Sequence, residues 1–226
     1  MNNDPTVVIG NNIKVLMSKL AVVLNKLFRG KLKPSHITIL SLLGHFPVAW
    51  ALWNGKTTLA IIFIVVFGLM DALDGALARE QKSASKFGMF FDATTDRLKE
   101  VILYSGLAVY VANNEPKVGV WVIPAVAGTS LLVSYVKAKG EMAVSEDTKD
   151  KQSLNRTFSQ GIARYEIRMT LLIIGLLSGL LPSLLNLIIA LNLITAAERF
   201  MEVSKQLSEE DSAVKIKSSG SKSRKK

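Results

Sequence analysis

Apolar residues recur along the chain in windows at 36–53, 57–78, 89–112, 117–137, 164–181 and 183–203. Each is near the ~20 residues that an α-helix needs to cross a bilayer. Leu59 to Met70 and Leu171 to Leu185 are too continuously apolar for a soluble bundle, whose helices need a polar outer face. Between the windows lie short polar connections at Asn54-Gly55-Lys56, at Asn113 to Lys117 and near Pro182. Ahead of the first window, Ile13, Leu16, Met17, Leu20, Val23, Leu24 and Leu27 repeat at helical spacing, with Lys14, Lys19, Lys26 and Arg29 on other faces. That pattern predicts a helix lying on an anionic leaflet. The expected architecture is an all-α integral membrane protein of six transmembrane helices, preceded by an N-terminal interfacial amphipathic helix. Its segments are an interfacial stretch at 1–33, a six-helix domain at 34–205 and a Ser/Gly/Lys-rich tail at 206–226 expected to be disordered. A long polar loop is expected at about 141–160.

Charge gives this architecture a direction. Of 28 lysines and arginines, only Lys56 and Lys117 fall in the connections on one side; the rest lie in the N-terminal segment, the 79–99 region, the 137–168 region and the C-terminal stretch from Arg199 onward. The positive-inside rule then places both termini in the cytoplasm, and the chain in the cell membrane. The net charge of +10 follows from that topology, and the basic runs lack interleaved aromatics, so no nucleic-acid partner is expected. At 226 residues, 49% of them hydrophobic, one compact domain is expected. The first stretch is polar and amphipathic, unlike a cleavable signal peptide. The chain has no cysteine, which excludes disulfides and thiolate metal sites.

Four carboxylates break the apolar pattern: Asp71, Asp74, Asp92 and Asp96. An ionised carboxylate in hydrocarbon costs at least a few kcal/mol and requires a partner. Between Asp71 and Arg97 the cations are Arg79, Lys82, Lys86 and Arg97, and the first three belong to the connecting loop. Divalent metal is the remaining partner, and hard oxygens without nearby His or Cys favour Mg²⁺, Mn²⁺ or Ca²⁺. Asp71 and Asp74 are i, i+3 on one helix, and Asp92 and Asp96 are i, i+4 on the next. With the turn between Glu80 and Lys86, the two helices should be antiparallel neighbours facing each other. Gly75 leaves room for a ligand near the backbone, and Gly88 opens the second helix. A structural ion site or a carboxylate-lined cation pathway would use the same residues. A pathway would need polar groups across the whole membrane, and the outer halves of the predicted helices carry few.

The run Asp-x-x-Asp-Gly-x-x-Ala-Arg from Asp71 to Arg79, followed after eight residues by Gly88-x-x-x-Asp92-x-x-x-Asp96, resembles the signature of the CDP-alcohol phosphotransferases. The resemblance implies an integral membrane enzyme that displaces CMP from a CDP-linked lipid with divalent metal. Asp71, Asp74, Asp92 and Asp96 would hold two ions, Mg²⁺ or alternatively Mn²⁺, and Asp96 would also be the catalytic general base. Gly75, Arg79 and Ser85 would contact the CDP group. The segment Pro34-Ser35-His36-Ile37-Thr38 resembles a family element near the nucleotide, which adds Ser35, His36, Ile37 and Thr38; Ser35 stands where the family usually has Asn or Asp.

Two shorter stretches resemble the phosphatidylinositol phosphate synthase branch: Asp92-Ala-Thr-Thr-Asp96-Arg97 and Ser134-Tyr-Val-Lys137-Ala. Arg164 and Arg199 fall where that branch binds inositol phosphate, although Ala163-Arg164-Tyr165-Glu166 departs from its usual pattern. Ser134, Lys137, Arg164 and Arg199 would hold the acceptor's phosphate; helix-end cations that merely reach for the interface would look the same. The implied reaction takes CDP-diacylglycerol and inositol phosphate to phosphatidylinositol phosphate and CMP. Glycerol 3-phosphate as acceptor and an archaetidyl ether lipid as donor are the alternatives. The resemblance also implies a homodimer among membrane lipids, with its active site cytoplasmic.

Overall fold

The computed structural model of the chain describes residues 5–115, 118–119, 121–143 and 163–223. Most of the polar loop expected at 141–160 lies outside them. Seven helices form among the described residues: α1 (Pro5–Leu27), α2 (Pro34–Trp53), α3 (Thr57–Glu80), α4 (Lys86–Asn114), α5 (Val122–Ala143), α6 (Tyr165–Ser178) and α7 (Leu181–Ser223). No strand occurs there. The last six overlap the six apolar windows, with the fifth helix displaced toward the C-terminus and the seventh running 20 residues past its window. Three are long and apolar enough to cross a membrane: Pro34–Trp53, Thr57–Glu80 and Leu181–Glu209. In α4 the apolar run is interrupted by Asp92, Asp96, Arg97, Lys99 and Glu100. With 14 residues, α6 spans only about 21 Å.

The chain divides into two units, Met1–Val118 and Gly119–Lys226. In the first, α2 is the common partner, packing against both α3 and α4, while α1 packs on α3. Among the described residues α3 and α4 have no close backbone packing and meet instead through side chains, Lys99 of α4 reaching Asp71 of α3. The reason is steric. Gly106 of α4 meets the backbone of α2 so closely that an added Cβ would lie 2.5 Å from the Ala49 Cα. Small residues on facing helices let backbones approach, and α2 takes the central place.

Met17 and Ala21 of α1 are buried against Ile37, Leu73, Ala76 and Leu77. Leu16, Val23 and Leu27 on the same helix stay exposed, so α1 docks one edge and leaves an apolar face uncovered. In the second unit α7 packs on α5 and α6. Gly179 ends α6 in the left-handed conformation, φ 71°, and allows the tight reversal into α7. Helix α7 continues to Ser223, into a tail expected from composition to be disordered. No proline follows Pro182, and Glu, Gln and Lys are good helix formers.

Polarity is distributed as in a protein solvated by lipid. Leu43, Phe46, Trp50, Ile62 and Leu193 point outward, whereas Ser41, His45, Lys99, Ser130, Asn192 and Thr195 are buried. Asn192 Nδ2 donates to Thr129 Oγ1 at 3.1 Å and Ser130 Oγ at 3.2 Å, tying α7 to α5. Where both neighbours and solvent are apolar, such bonds and close contacts hold helices together.

Gly106→Leu should lower the melting temperature of the detergent-solubilised protein, an overpacking cost of about 1–3 kcal/mol. Gly128→Leu, where an added Cβ meets nothing, should leave it unchanged or higher; thermal denaturation followed by circular dichroism checks both.

Candidate active site

Helix α2 opens with Pro34 at its first position, where a missing N–H costs nothing. One turn later Thr38 Oγ1 donates to Asp74 Oδ2 at 2.6 Å, and the next turn brings Ser41 Oγ within 2.8 Å of Asp71 Oδ1 and 2.9 Å of the Phe67 carbonyl. Two hydroxyls of α2 thus hold the two acids of α3. Below them, buried His45 donates from Nδ1 to the Ser41 carbonyl at 2.8 Å.

Helix α4 contributes the other pair. Lys99, 1% exposed, sends Nζ to Asp71 Oδ1 at 2.6 Å and to Asp96 Oδ1 at 3.0 Å. Its ammonium therefore bridges α3 and α4. Beside it Arg97 pairs with buried Glu100 at 3.1 Å. Asp92 lies within electrostatic reach of Asp71, Asp74 and Asp96, so all four acids share one neighbourhood.

Asp74 and Asp92 face a cavity of about 560 Å³, whereas Asp71 and Asp96 are not among its lining residues. Ser35, Thr38, Gly75, Arg79 and Ser85 also line it. Gly75 keeps the wall low: a Cβ there would meet the Arg79 guanidinium at 3.6 Å. Ser85 caps α4, its hydroxyl accepting from the Gly88 N–H at 3.0 Å, so that the first turn of α4 borders the cavity. Lys33 and Arg79 add positive charge to the wall, and Phe87, Met89 and Phe91 add apolar surface. A space bordered by a helix N-terminus, cations and apolar side chains suits an anionic phosphate carried on a lipid.

Two residues expected at the nucleotide do other work. Ile37 is buried in the α1–α3 core, and His36 Nδ1 accepts the Lys33 N–H at 3.4 Å at the start of α2. Ser41 and Lys99 went unnoticed in the sequence. Lys99 stands three residues after Asp96, on the same helical face, just beyond the stretch counted for cations. Spacing alone could have found it.

As they stand, no three His, Asp or Glu side chains among the described residues are gathered to hold a metal ion. The donor set nevertheless suits a hard divalent cation, with Asp74 and Asp92 open to the cavity.

In the second unit Arg199 of α7 donates from Nη1 to the Val133 carbonyl of α5 at 2.9 Å, beside Ser134. Arg168, buried on α6, donates to the Ala163 carbonyl at 3.0 Å and lies within electrostatic reach of Arg199. Arg164 is exposed at the N-cap of α6, and Lys137 is exposed on α5, 3.8 Å from Glu141. An exposed pair at that distance contributes little. Among the described residues Arg199 and Arg168 are thus the buried guanidiniums, and Arg168 was not among the residues expected to bind the acceptor.

The chain is 30% identical over 174 residues to the archaetidylinositol phosphate synthase of Pyrococcus horikoshii, covering 77% of this chain and 85% of that one. It is 35% identical over 119 residues to the phosphatidylinositol phosphate synthase of Mycobacterium tuberculosis, covering 51% and 54%. The crystal structure of the M. tuberculosis enzyme with CDP-DAG bound matches with a TM-score of 0.68 at 25% identity, over 83% of this chain and 92% of that one. Its complex with manganese and citrate matches with a TM-score of 0.67 at 25% identity, over 83% and 88%. Residues 31–201, which include every aspartate of the site, match the CDP-alcohol phosphatidyltransferase family, and the chain is a member of that family of membrane enzymes.

Proposed function

We propose that the enzyme transfers the phosphatidyl group of CDP-diacylglycerol to a hydroxyl of inositol phosphate, releasing CMP. The observation that carries this reading is the cavity on which Asp74, Asp92, Gly75, Arg79 and Ser85 converge. Both named relatives make an inositol phosphate lipid, which supports the acceptor. The wider coverage of the Pyrococcus relative favours, as a second reading, an archaetidyl ether-lipid donor with the same acceptor.

In this reading Ser35, Thr38, Gly75, Arg79 and Ser85 seat the CDP group, with the diphosphate toward the first turn of α4. Asp71, Asp74, Asp92 and Asp96 would hold divalent metal, Mg²⁺ or Mn²⁺, whose charge would stabilise the departing CMP. Asp96 takes the proton of the attacking hydroxyl; the new bond joins that oxygen to the lipid-bearing phosphorus, and the bond from phosphorus to CMP breaks. Ser134, Lys137, Arg164 and Arg199 orient the acceptor through its own phosphate, which Arg grips in bidentate fashion.

The family match over residues 31–201 supports a catalytic domain at 34–205. We place six membrane helices in it, with α1 on the cytoplasmic leaflet of the cell membrane and both termini and the site on that side. The uncovered apolar face of α1 supports this. The working unit in this reading is a homodimer, as in the family.

With CDP-diacylglycerol in vesicles, inositol phosphate should release CMP and glycerol 3-phosphate should not; the opposite preference would reassign the acceptor. EDTA should stop release, and added Mn²⁺ or Mg²⁺ should restore it. Asp96→Asn keeps an oxygen for Lys99 yet loses the base. It should therefore cut kcat about 10²–10⁴-fold while CDP binding, measured by calorimetry, persists. Lys137→Ala should raise the KM for inositol phosphate about 10–100-fold, the loss of one charged hydrogen bond, without moving that for the CDP-lipid.

A further inference from the structure

The Lys99 ammonium occupies a cation's place among the four aspartates. It is hydrogen-bonded to Asp71 at 2.6 Å and Asp96 at 3.0 Å, and the same Asp71 oxygen also lies 2.8 Å from the Ser41 hydroxyl. The carboxylates so engaged are the two absent from the cavity wall; Asp74 and Asp92 face the cavity. We infer that Lys99 is a built-in cation replacing one of the two divalent ions, so that this enzyme works with a single metal ion per chain. The inference rests on the metal-dependent reading of the site given above.

Three physical points carry it. The Lys99 side chain is 1% exposed, so an ion displacing it from Asp71 and Asp96 would strip a buried ammonium of its two carboxylate partners. If the ammonium stayed, a second dication on the same carboxylates would sit against it and be repelled. Charge balance points the same way. Four carboxylates with one ammonium and one divalent ion carry a net −1, whereas adding a second ion makes the site net positive before the diphosphate arrives. Lys99 is in these terms a positioning residue: it holds Asp96 and Asp71 in register across α3 and α4 and supplies charge without touching substrate.

The experiment is a metal count. Purified full-length protein, stripped with chelator and returned to nanodiscs, is titrated with Mn²⁺. Unbound ion is followed by electron paramagnetic resonance, and bound ion is measured by elemental analysis after gel filtration. Wild type should take up one Mn²⁺ per chain. Lys99→Met, of similar length but uncharged, and Lys99→Ser should each take up a second. Two ions in wild type would overturn the inference and leave the metal-dependent reading intact; no ion in wild type would overturn both. One ion in wild type and still one in folded Lys99 variants would reduce Lys99 to a structural counter-ion and overturn the inference. If those two variants fail to fold, the same count is made on Lys99→Gln, which keeps a hydrogen-bond donor without the charge: two ions support the inference and one overturns it.

Discussion

Acids placed inside an apolar bundle need a positive partner within reach, and here the ammonium of Lys99 is that partner. It joins Asp71 on α3 to Asp96 on α4, two helices that share no close backbone packing among the described residues. Without it, α3 and α4 would present like charges to each other across a medium that screens them poorly. The same contact sorts the acids into two roles. Asp71 and Asp96 are held by protein groups, while Asp74 and Asp92 border the cavity. The hydroxyls of Thr38 and Ser41, spaced nearly one turn apart on α2, fix the α3 pair from the other side. Central placement of α2 is therefore a requirement of the site as well as of the packing, and close approach at Gly106 makes it possible.

The second unit follows the same rule with the signs reversed. Its buried charges are guanidiniums, Arg168 and Arg199, each donating to a backbone carbonyl. Carbonyl oxygens at 2.9–3.0 Å satisfy part of a guanidinium's five donors, and the Glu141 carboxylate lies within electrostatic reach of Arg199. Arg168 and Arg199 stay inside the helical unit, whereas Lys137 and Arg164 reach its surface.

Much of this was legible in the chain itself. Helix positions followed from apolar runs near bilayer length, because lipid forbids unsatisfied backbone and leaves helices as the simplest solution. The aspartates announced themselves as charge in the wrong solvent, and their fixed spacing carried the resemblance that the family match bears out. Other features were hidden for identifiable reasons. Apolar residues of α1 divide between core and exposed positions, which periodicity cannot separate when the outer solvent is itself apolar. Ile37 and His36 sit in a nucleotide-like element, yet one turns into the core and the other accepts the Lys33 amide. Neighbours in sequence on a helix point about 100° apart, so adjacency to a site residue does not place a side chain in the site.

By itself the amino-acid order determined the helical class, the acidic constellation and the family, since each depends on local composition and fixed spacing. Tertiary structure decided which cation meets which acid. Lys99 reads in sequence as a charge one turn from Asp96; only the packing of α3 and α4 around α2 brings its ammonium to Asp71 as well. The 2.6 Å contact between groups 28 residues apart is set by how helices cross, and helix crossing depends on contacts that no single segment encodes.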